Sequence, residues 1–148
     1  MGNTRYPKRL KFKICSARVP SKQIKDAYFM DIIRLNNMIF YAHHGYYKAE
    51  RELGQKFEVD VILECDFAKA VKSDRLQDAV NYKAVYQMVS GIFNSYKFTL
   101  LETLAEKIAK NILEHFPVHS IRIRVRKPQV SMNGFLDNVE VEIYRERL

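Results

Sequence analysis

Three residues carry side chains suited to proton transfer or to binding a flat polar ligand, and Glu102 is the first of them. It follows Thr99 by three positions, at the predicted start of a helix. Its carboxylate can close a capping box with Thr99, or it can accept two parallel hydrogen bonds from an amidine-like pair of N–H groups. The spacing alone favours the capping box and leaves the binding role open.

Lys127 and Tyr82 are the other two candidates. Lys127 ends an arginine-rich strand just before Pro128, on the same side as the apolar Val125. An amine there either extends past the core to solvent or is desolvated at a place where it can exchange a proton. Tyr82 lies in the first turn of a predicted helix, and its phenol can pack, stack on a ring or donate a proton. Both residues are candidates for acid–base chemistry, with packing as the alternative.

Other kinds of site have little support in the sequence. His43 and His44 are neighbours, and neighbouring side chains of an extended strand point to opposite faces, so the pair is not expected to chelate a metal ion. Cys15 and Cys65 form no CxxC pair, which argues against a zinc ribbon or a disulfide scaffold. The sequence contains no P-loop, GxGxxG or GxSxG pattern, so nucleotide-dependent transfer and serine hydrolysis are not predicted. We expect no metal and no cofactor.

Hydrophobic periodicity predicts the elements that must hold these side chains. Residues 31–41 are predicted as a strand that leads into the turn-like His44–Gly45, and apolar residues alternate along 56–67, 121–125 and 139–143. Apolar residues recur at helical spacing along 82–94 and 99–115, with Asn81 as cap of the first helix. The predicted order is therefore β-β-α-α-β-β. The layer rule then gives an α+β fold, an antiparallel four-stranded sheet with both helices on one face.

The last two predicted strands have complementary charges on one face. Arg122, Arg124 and Arg126 alternate with apolar residues, and Glu140 and Glu142 do the same on the following strand. If the strands pair antiparallel, the arginines meet the glutamates across the ladder. Such a sheet has two open edges and a polar face, so we expect oligomerisation that closes the sheets into a barrel.

Length and composition indicate one globular domain with a basic extension. The chain has 148 residues, 47% of them hydrophobic, and a net charge of +8. Residues 1–29 contain eight Lys or Arg and one acidic residue, whereas the rest is nearly neutral, so a nucleic-acid partner is not expected. We predict an N-terminal extension over 1–29 and a folded domain over 30–148. The extension is interpreted as flexible upstream sequence, with a phosphate-binding arm or an organelle transit peptide as alternatives.

The sequence contains no apolar run of the roughly 18 residues that span a bilayer, and no apolar stretch of a secretory signal at its start. A soluble, cytoplasmic protein without a membrane partner is therefore expected.

Five short segments of the sequence indicate more about its function than the hydrophobic periodicity does. They are residues 41–55 (YAHHGYYKAERELGQ), 80–82 (VNY), 100–106 (LLETLAE), 125–128 (VRKP) and 138–143 (NVEVEI). In this order they resemble the dihydroneopterin aldolases of folate biosynthesis, from about Met30 to the C-terminus. The extension lies outside the family pattern. Asn81, and the loop 129–134 (QVSMNG), depart from some members, which affects substrate preference rather than reaction type.

The resemblance implies the tunnelling fold, with subunits that close into rings and assemble commonly as octamers. It implies a lyase that cleaves 7,8-dihydroneopterin by a retro-aldol reaction to 6-hydroxymethyl-7,8-dihydropterin and glycolaldehyde, with C2′ epimerisation as a side reaction, and without metal or Schiff base. By position, the resemblance assigns pterin or substrate contacts to Glu102, Glu50, Leu101 and Val80, and proton transfer to Lys127 and Tyr82.

The resemblance also places the site between subunits, with the Glu102 and Tyr82 equivalents from one chain and the Lys127 and Glu50 equivalents from its neighbour. Three alternatives stay open from the sequence. They are a dihydroneopterin triphosphate epimerase of the same fold, a non-catalytic module that binds through the basic extension, and a pterin synthase, which would need a three-histidine zinc site that the sequence lacks.

Overall fold

The structure, a computed structural model, describes residues 30–130 and 132–147. Its elements are β1 (Asp31–Ala42), α1 (Lys48–Leu53), β2 (Gln55–Cys65), α2 (Ala68–Ser73), a 3₁₀ turn (Leu76–Asp78), α3 (Tyr82–Ser95), α4 (Leu101–His115), β3 (Ser120–Lys127) and β4 (Val139–Glu146). The predicted order of four strands and two long helices is confirmed. The short helices α1 and α2 were not predicted, and the predicted extension over 1–29 lies outside the described residues. Every described helix is too short or too polar to span a lipid bilayer.

The four strands form one antiparallel sheet in the order β1-β2-β3-β4. β2 is central, and every second residue from Gln55 to Cys65 is buried. Its buried face carries Phe57, Val59, Val61 and Leu63, all with no exposed surface. Each such side chain contributes roughly 1.5–3 kcal/mol when buried, so the period-two pattern of β2 fixes which face of the sheet becomes the core.

Both long helices pack on this apolar face, as predicted. α3 contacts β1, and α4 contacts β3 and β4. The buried stripe of α3 is Val85, Val89, Ile92 and Phe93. Asn81 caps α3 as predicted, because its Oδ1 accepts a hydrogen bond from the Ala84 N–H at 3.1 Å. The start of α3 is therefore set both by local capping and by the apolar layer beneath.

The opposite face of the sheet carries the predicted ladder of arginines and glutamates. Arg124 lies opposite Glu142 and Arg126 lies opposite Glu140, and Arg122 Nη1 bonds Glu142 Oε1 at 2.6 Å. The sequence did not predict that β2 extends this ladder. Arg126 also bonds Asp60 and lies 3.5 Å from a Glu58 oxygen. The Asp60 carboxylate raises the pKa of Arg126, and the guanidinium in turn lowers the pKa of Asp60.

A β-bulge interrupts β1 where it crosses this charged cluster. The register shifts between Leu35 and Met38, and Asn37 has a φ of +52°, a conformation that asparagine tolerates better than most residues. Its N–H donates to Asp60 Oδ1 at 2.6 Å, and its Oδ1 accepts from Arg126 Nη2 at 3.3 Å. The bulge thus joins β1 to the arginine that links the other three strands.

Arg126 should therefore be the ion-pair residue whose loss costs most. We expect Arg126→Met to lower the free energy of unfolding by about 3 kcal/mol, because its side chain (15% exposed) pairs with Asp60 (14% exposed), which would keep its charge without this cation. Arg122→Met, at a position 41% exposed, should cost less than about 1 kcal/mol. Urea unfolding at one fixed protein concentration measures both values. Equal losses would show that the Arg126 cluster has no special weight.

Candidate active site

A groove of about 260 Å³ opens at the end of the sheet where β3 stops and β4 starts. Its walls come from three parts of the chain: the start of α4 with the residues just before it, the segment from Gly45 to Glu50, and the ends of β3 and β4 around Lys127 and Val139. Four predicted site residues line it, namely Glu50, Leu101, Glu102 and Lys127.

Glu102 does not form the capping box that its spacing from Thr99 favours. The cap residue of α4 is Leu100, which makes no side-chain capping bond, and the helix begins at Leu101. Leu100 is extended, and two residues earlier the Phe98 carbonyl accepts the Gly45 N–H at 2.9 Å. The capping prediction is therefore wrong, since a tertiary hydrogen bond outweighs the local motif. Glu102 is left in the first turn of α4, where the helix field favours a carboxylate.

Among the described residues, no hydrogen bond or ion pair involves the exposed carboxylate of Glu102, although it lines the groove. Thr99 and Leu100 lie beside it in the same wall. A carboxylate presented in this way can accept two parallel hydrogen bonds from a ligand. Glu102 does not cap α4, so of the two roles that its spacing allowed, the structure favours ligand binding.

Lys127 and Glu50 form an ion pair on the other wall of the groove. Lys127 is the last residue of β3, and its ammonium bonds Glu50 Oε1 while both side chains are largely buried. Glu50 Oε2 also accepts the Tyr47 N–H at 3.1 Å. Burial alone would raise the pKa of Glu50, but the bonds from Lys127 and from the Tyr47 backbone hold it below its ordinary value. A charged carboxylate and an ammonium therefore lie side by side, ready to share a proton with a ligand hydroxyl.

Glu50 is positioned by the short segment from Gly45 to Arg51, which is part of the first of the five segments that carry the resemblance. Gly45 has a φ of +149°, and a Cβ there would lie 2.8 Å from Glu50 Cβ and 2.9 Å from Cδ, so only glycine fits. Arg51 Nη1 donates to the Gly45 carbonyl at 3.1 Å and also bonds the Tyr46 carbonyl. The sequence signal was the glycine after His44, at the end of a strand, where tight turns occur.

Tyr82 and Val80 line a different part of the molecule. They border a larger groove of about 670 Å³, formed by β1, α2 and the segment leading into α3, whose lining is mainly apolar. Tyr82 is 62% exposed there, whereas Val80 is nearly buried. The resemblance placed Lys127 and Glu50 on a chain other than the one that carries Glu102, and the structure differs from this expectation. Glu102 lies in the same groove of the same chain as Lys127 and Glu50, and only Tyr82 and Val80 lie apart.

The two neighbouring histidines point to different surroundings. His43 Nδ1 lies 3.1 Å from the Arg51 carbonyl, and His44 is buried among aromatic rings. Over residues 30–130 and 132–147, no three His, Cys, Asp or Glu side chains are placed to hold a metal ion. Cys65 is buried on the core face of β2, where it packs as a small apolar residue, and burial raises the pKa of its thiol.

Comparison with known proteins decides the family. The family of dihydroneopterin aldolases (FolB) matches residues 33–144. The chain belongs to the dihydroneopterin aldolase family. The aldolase of Staphylococcus epidermidis is 43% identical over 117 residues, which are 78% of this chain and 97% of the relative. The aldolase of Bacillus subtilis is 37% identical over 119 residues, 80% of this chain and 99% of the relative.

A solved structure gives the same answer. The E. coli dihydroneopterin aldolase in complex with neopterin matches with a TM-score of 0.73 and 30% identity, over 78% of this chain and 99% of that one. The family, the four-stranded antiparallel fold and the lyase activity expected from the resemblance are therefore confirmed. The function is the retro-aldol cleavage of the dihydroneopterin aldolases in folate biosynthesis, and the epimerase alternative is not favoured.

Gly45 offers a direct test of the Glu50 wall. Gly45→Ala should lower aldolase turnover by roughly 10- to 100-fold, because the new methyl group would displace the Glu50 carboxylate from Lys127. Gly91→Ala is the matched control, since a Cβ at Gly91 in the interior of α3 meets nothing within 4 Å. That variant should keep its turnover and gain about 0.5–1 kcal/mol of stability. Steady-state kinetics and thermal unfolding measure both effects, and equal turnover in the two variants would contradict the assignment.

Proposed function

We propose that the groove between Glu102 and the Lys127–Glu50 ion pair is the pterin site in which this chain cleaves 7,8-dihydroneopterin. The observation that carries the proposal is the joint placement, in the lining of one groove, of a carboxylate without a bond to any described residue and a largely buried ion pair. The first can hold a flat heterocycle, and the second can move a proton on its side chain.

Glu102 is assigned the recognition of the ring. A pterin presents its 2-amino group and N3–H side by side, and a carboxylate accepts both in a bidentate arrangement. The start of α4 adds backbone N–H groups without helical partners, among them that of Leu101. The half-buried Val139 and Val141 supply apolar surface on the opposite side of the groove. The ring would therefore be held at its edge by charge and along its face by packing.

Lys127 and Glu50 are assigned the proton transfers at the substrate side chain. Removal of the 2′-hydroxyl proton lets C2′ become the aldehyde carbon while the C1′–C2′ bond breaks. The electron pair of that bond passes to C1′ and is delocalised into the ring through C6 and N5, and a proton added at C1′ completes the product. The Glu50 carboxylate can take up the first proton, directly or through water, while the Lys127 ammonium beside it stabilises the oxyanion that forms at C2′. Because the ring accepts the electrons, the scheme needs no Schiff base.

Tyr82 and Val80 are assigned to the same site from a second chain. They lie in a separate groove of their own chain, so they reach a pterin beside Glu102 only if a neighbouring subunit brings them there. β1 and β4 are both edge strands, and an edge with unpaired backbone groups invites a neighbour. We propose a ring-forming homo-oligomer, commonly an octamer in this family by the resemblance, in which Tyr82 completes the site.

We further propose that residues 30–148 form the catalytic domain, that 1–29 are an appendage, and that the protein works in the cytoplasm. The family match starts at residue 33, which supports the boundary. A chain starting at Met30 should keep its turnover, and a large loss would contradict the boundary. Imaging of the tagged full-length chain in its native cell tests the location, and a signal confined to an organelle would favour the transit-peptide alternative.

Two variants should separate the roles within the groove. Glu102→Gln should raise the KM for 7,8-dihydroneopterin by roughly 10- to 100-fold, because a charged hydrogen-bond pair is lost. Lys127→Ala should mainly lower kcat, by about 100-fold or more, because proton transfer is lost. Chromatography of the pterin products with fluorescence detection measures both.

Glu106→Gln is the control for these variants. Glu106 lies one helical turn beyond Glu102 and pairs with Arg145 at 2.6 Å, so both constants should stay near wild type. Full activity in both site variants would refute the assignment.

Subunit mixing tests which side chains share a chain. Lys127→Ala and Tyr82→Phe proteins, unfolded and refolded together, should regain activity in about a quarter of the sites, because a wild-type groove can meet a wild-type Tyr82. Lys127→Ala mixed with Glu102→Gln should regain none, since every groove then carries one defect. Recovery in the second mixture would show that Lys127 and Glu102 act from different chains.

A further inference from the structure

His44 is a fully buried polar residue that the proposed mechanism does not use. It lies just beyond β1, 1% exposed, and its ring contacts those of Phe57, Phe93 and Phe98 at centroid distances of 5.3–5.7 Å. Its Nδ1 accepts the Phe98 N–H at 3.1 Å, and its Nε2 has no hydrogen-bond partner among the described residues. Burying an unpaired nitrogen costs free energy, so we expect His44 to have a structural role that offsets this cost.

The bond to Phe98 determines the state of the imidazole. An acceptor Nδ1 carries no proton, so the neutral ring is protonated on Nε2. Burial and the neighbouring His43 lower the pKa of His44 to about 4, which keeps the acceptor lone pair available throughout the neutral range. Within the described residues, its ring neighbours from β2, α3 and the α3–α4 loop are the three phenylalanines, and His43 is the neighbouring titratable group.

His44 and Gly45 together bond both backbone groups of Phe98. The Phe98 N–H donates to His44 Nδ1, and the Phe98 carbonyl accepts the Gly45 N–H at 2.9 Å. Phe98 precedes Glu102 by four residues, and Gly45 precedes Glu50 by five. This pair of bonds, which we call the Phe98 clamp, therefore ties the wall that carries Glu102 to the wall that carries Glu50.

The clamp also explains why α4 starts where it does. Without it, the Thr99–Glu102 capping box would compete for the same residues, and the Glu102 carboxylate would turn back to its own backbone. With it, Leu100 stays extended and Glu102 is left without a bond to any described residue. Loss of the clamp would thus affect ring binding more than proton transfer, because the Lys127–Glu50 pair lies on the other wall.

We propose that His44 is a positioning residue that, through the Phe98 clamp, holds Glu102 at the distance from Glu50 that a pterin ring requires. The inference rests on the proposed function of the groove. It assigns the imidazole Nδ1 as the atom that acts.

Asparagine and glutamine at position 44 test that assignment. An asparagine amide oxygen can occupy the place of Nδ1, whereas a glutamine amide reaches the place of Nε2. We expect His44→Gln and His44→Leu to weaken binding of neopterin, a fluorescent pterin, by about tenfold, as for one lost hydrogen bond, and to raise KM more than they lower kcat. His44→Asn should stay within about threefold of wild type. His115→Leu is the control, because it removes a similar bond, Nδ1 to the Asn111 carbonyl at 2.8 Å, at the far end of α4.

Two outcomes of the binding measurements would contradict the role of His44. If the asparagine variant binds neopterin as weakly as the glutamine variant, or if all variants bind like wild type, His44 does not position Glu102. Amide exchange of the wild-type protein covers the case in which the variants fail to fold. The Phe98 N–H should exchange slowly, as ladder amides of β2 do, and fast exchange would overturn the clamp. Failure of the wild-type protein to bind neopterin would instead count against the proposed function, while amide exchange would still decide the clamp.

Discussion

The strict alternation of β2 is the constraint on which the rest of the molecule depends. β2 pairs with β1 and β3 at once, and its apolar residues face the helices while Glu58 and Asp60 face the opposite side. A register slip of one residue would put those carboxylates into the core and the valines into water. The link from β2 to the charged ladder of β3 and β4 also depends on this register, because it brings Arg126 to Asp60 and Glu58.

The two walls of the groove are held in place in different ways. α4 is anchored by five buried residues against the sheet, so Glu102 stands on a rigid support. α1 has no buried residue. Glu50 is held instead by polar contacts with Lys127 and the Tyr47 backbone, and it fits only because Gly45 has no side chain. The α4 wall is therefore fixed by packing, whereas the position of Glu50 depends on a few polar contacts, each of which a single substitution can remove. The Lys127 end of β3, fixed by the ladder, joins the Glu50 wall to the sheet.

Much of this was readable from the sequence because it is periodic or local. The strands, the long helices, the Asn81 cap and the pairing of arginines with glutamates all follow from residue spacing. Six-residue helices such as α1 and α2 were not predicted, because they have no apolar stripe to detect. The start of α4 was predicted wrongly, because bonds to Phe98 from residues more than 50 positions away outweigh a motif of four residues. The separation of Tyr82 from Glu102 was missed for a similar reason, since spacing along the chain does not report which end of the sheet a helix start reaches.

The bulge at Asn37 bears on how the exposed edge of β1 meets other chains. A regular edge strand accepts almost any extended segment alongside it and so risks aggregation. In β1 the ladder is broken between Leu35 and Met38, and the Asn37 N–H is turned inward to Asp60. An incoming strand can form an unbroken ladder only with Asp31–Leu35 or with Met38–Ala42, unless it carries a matching irregularity. The polar cluster on the charged face of the sheet therefore also makes the β1 edge selective, and this protects an enzyme with an open sheet from pairing with unrelated strands.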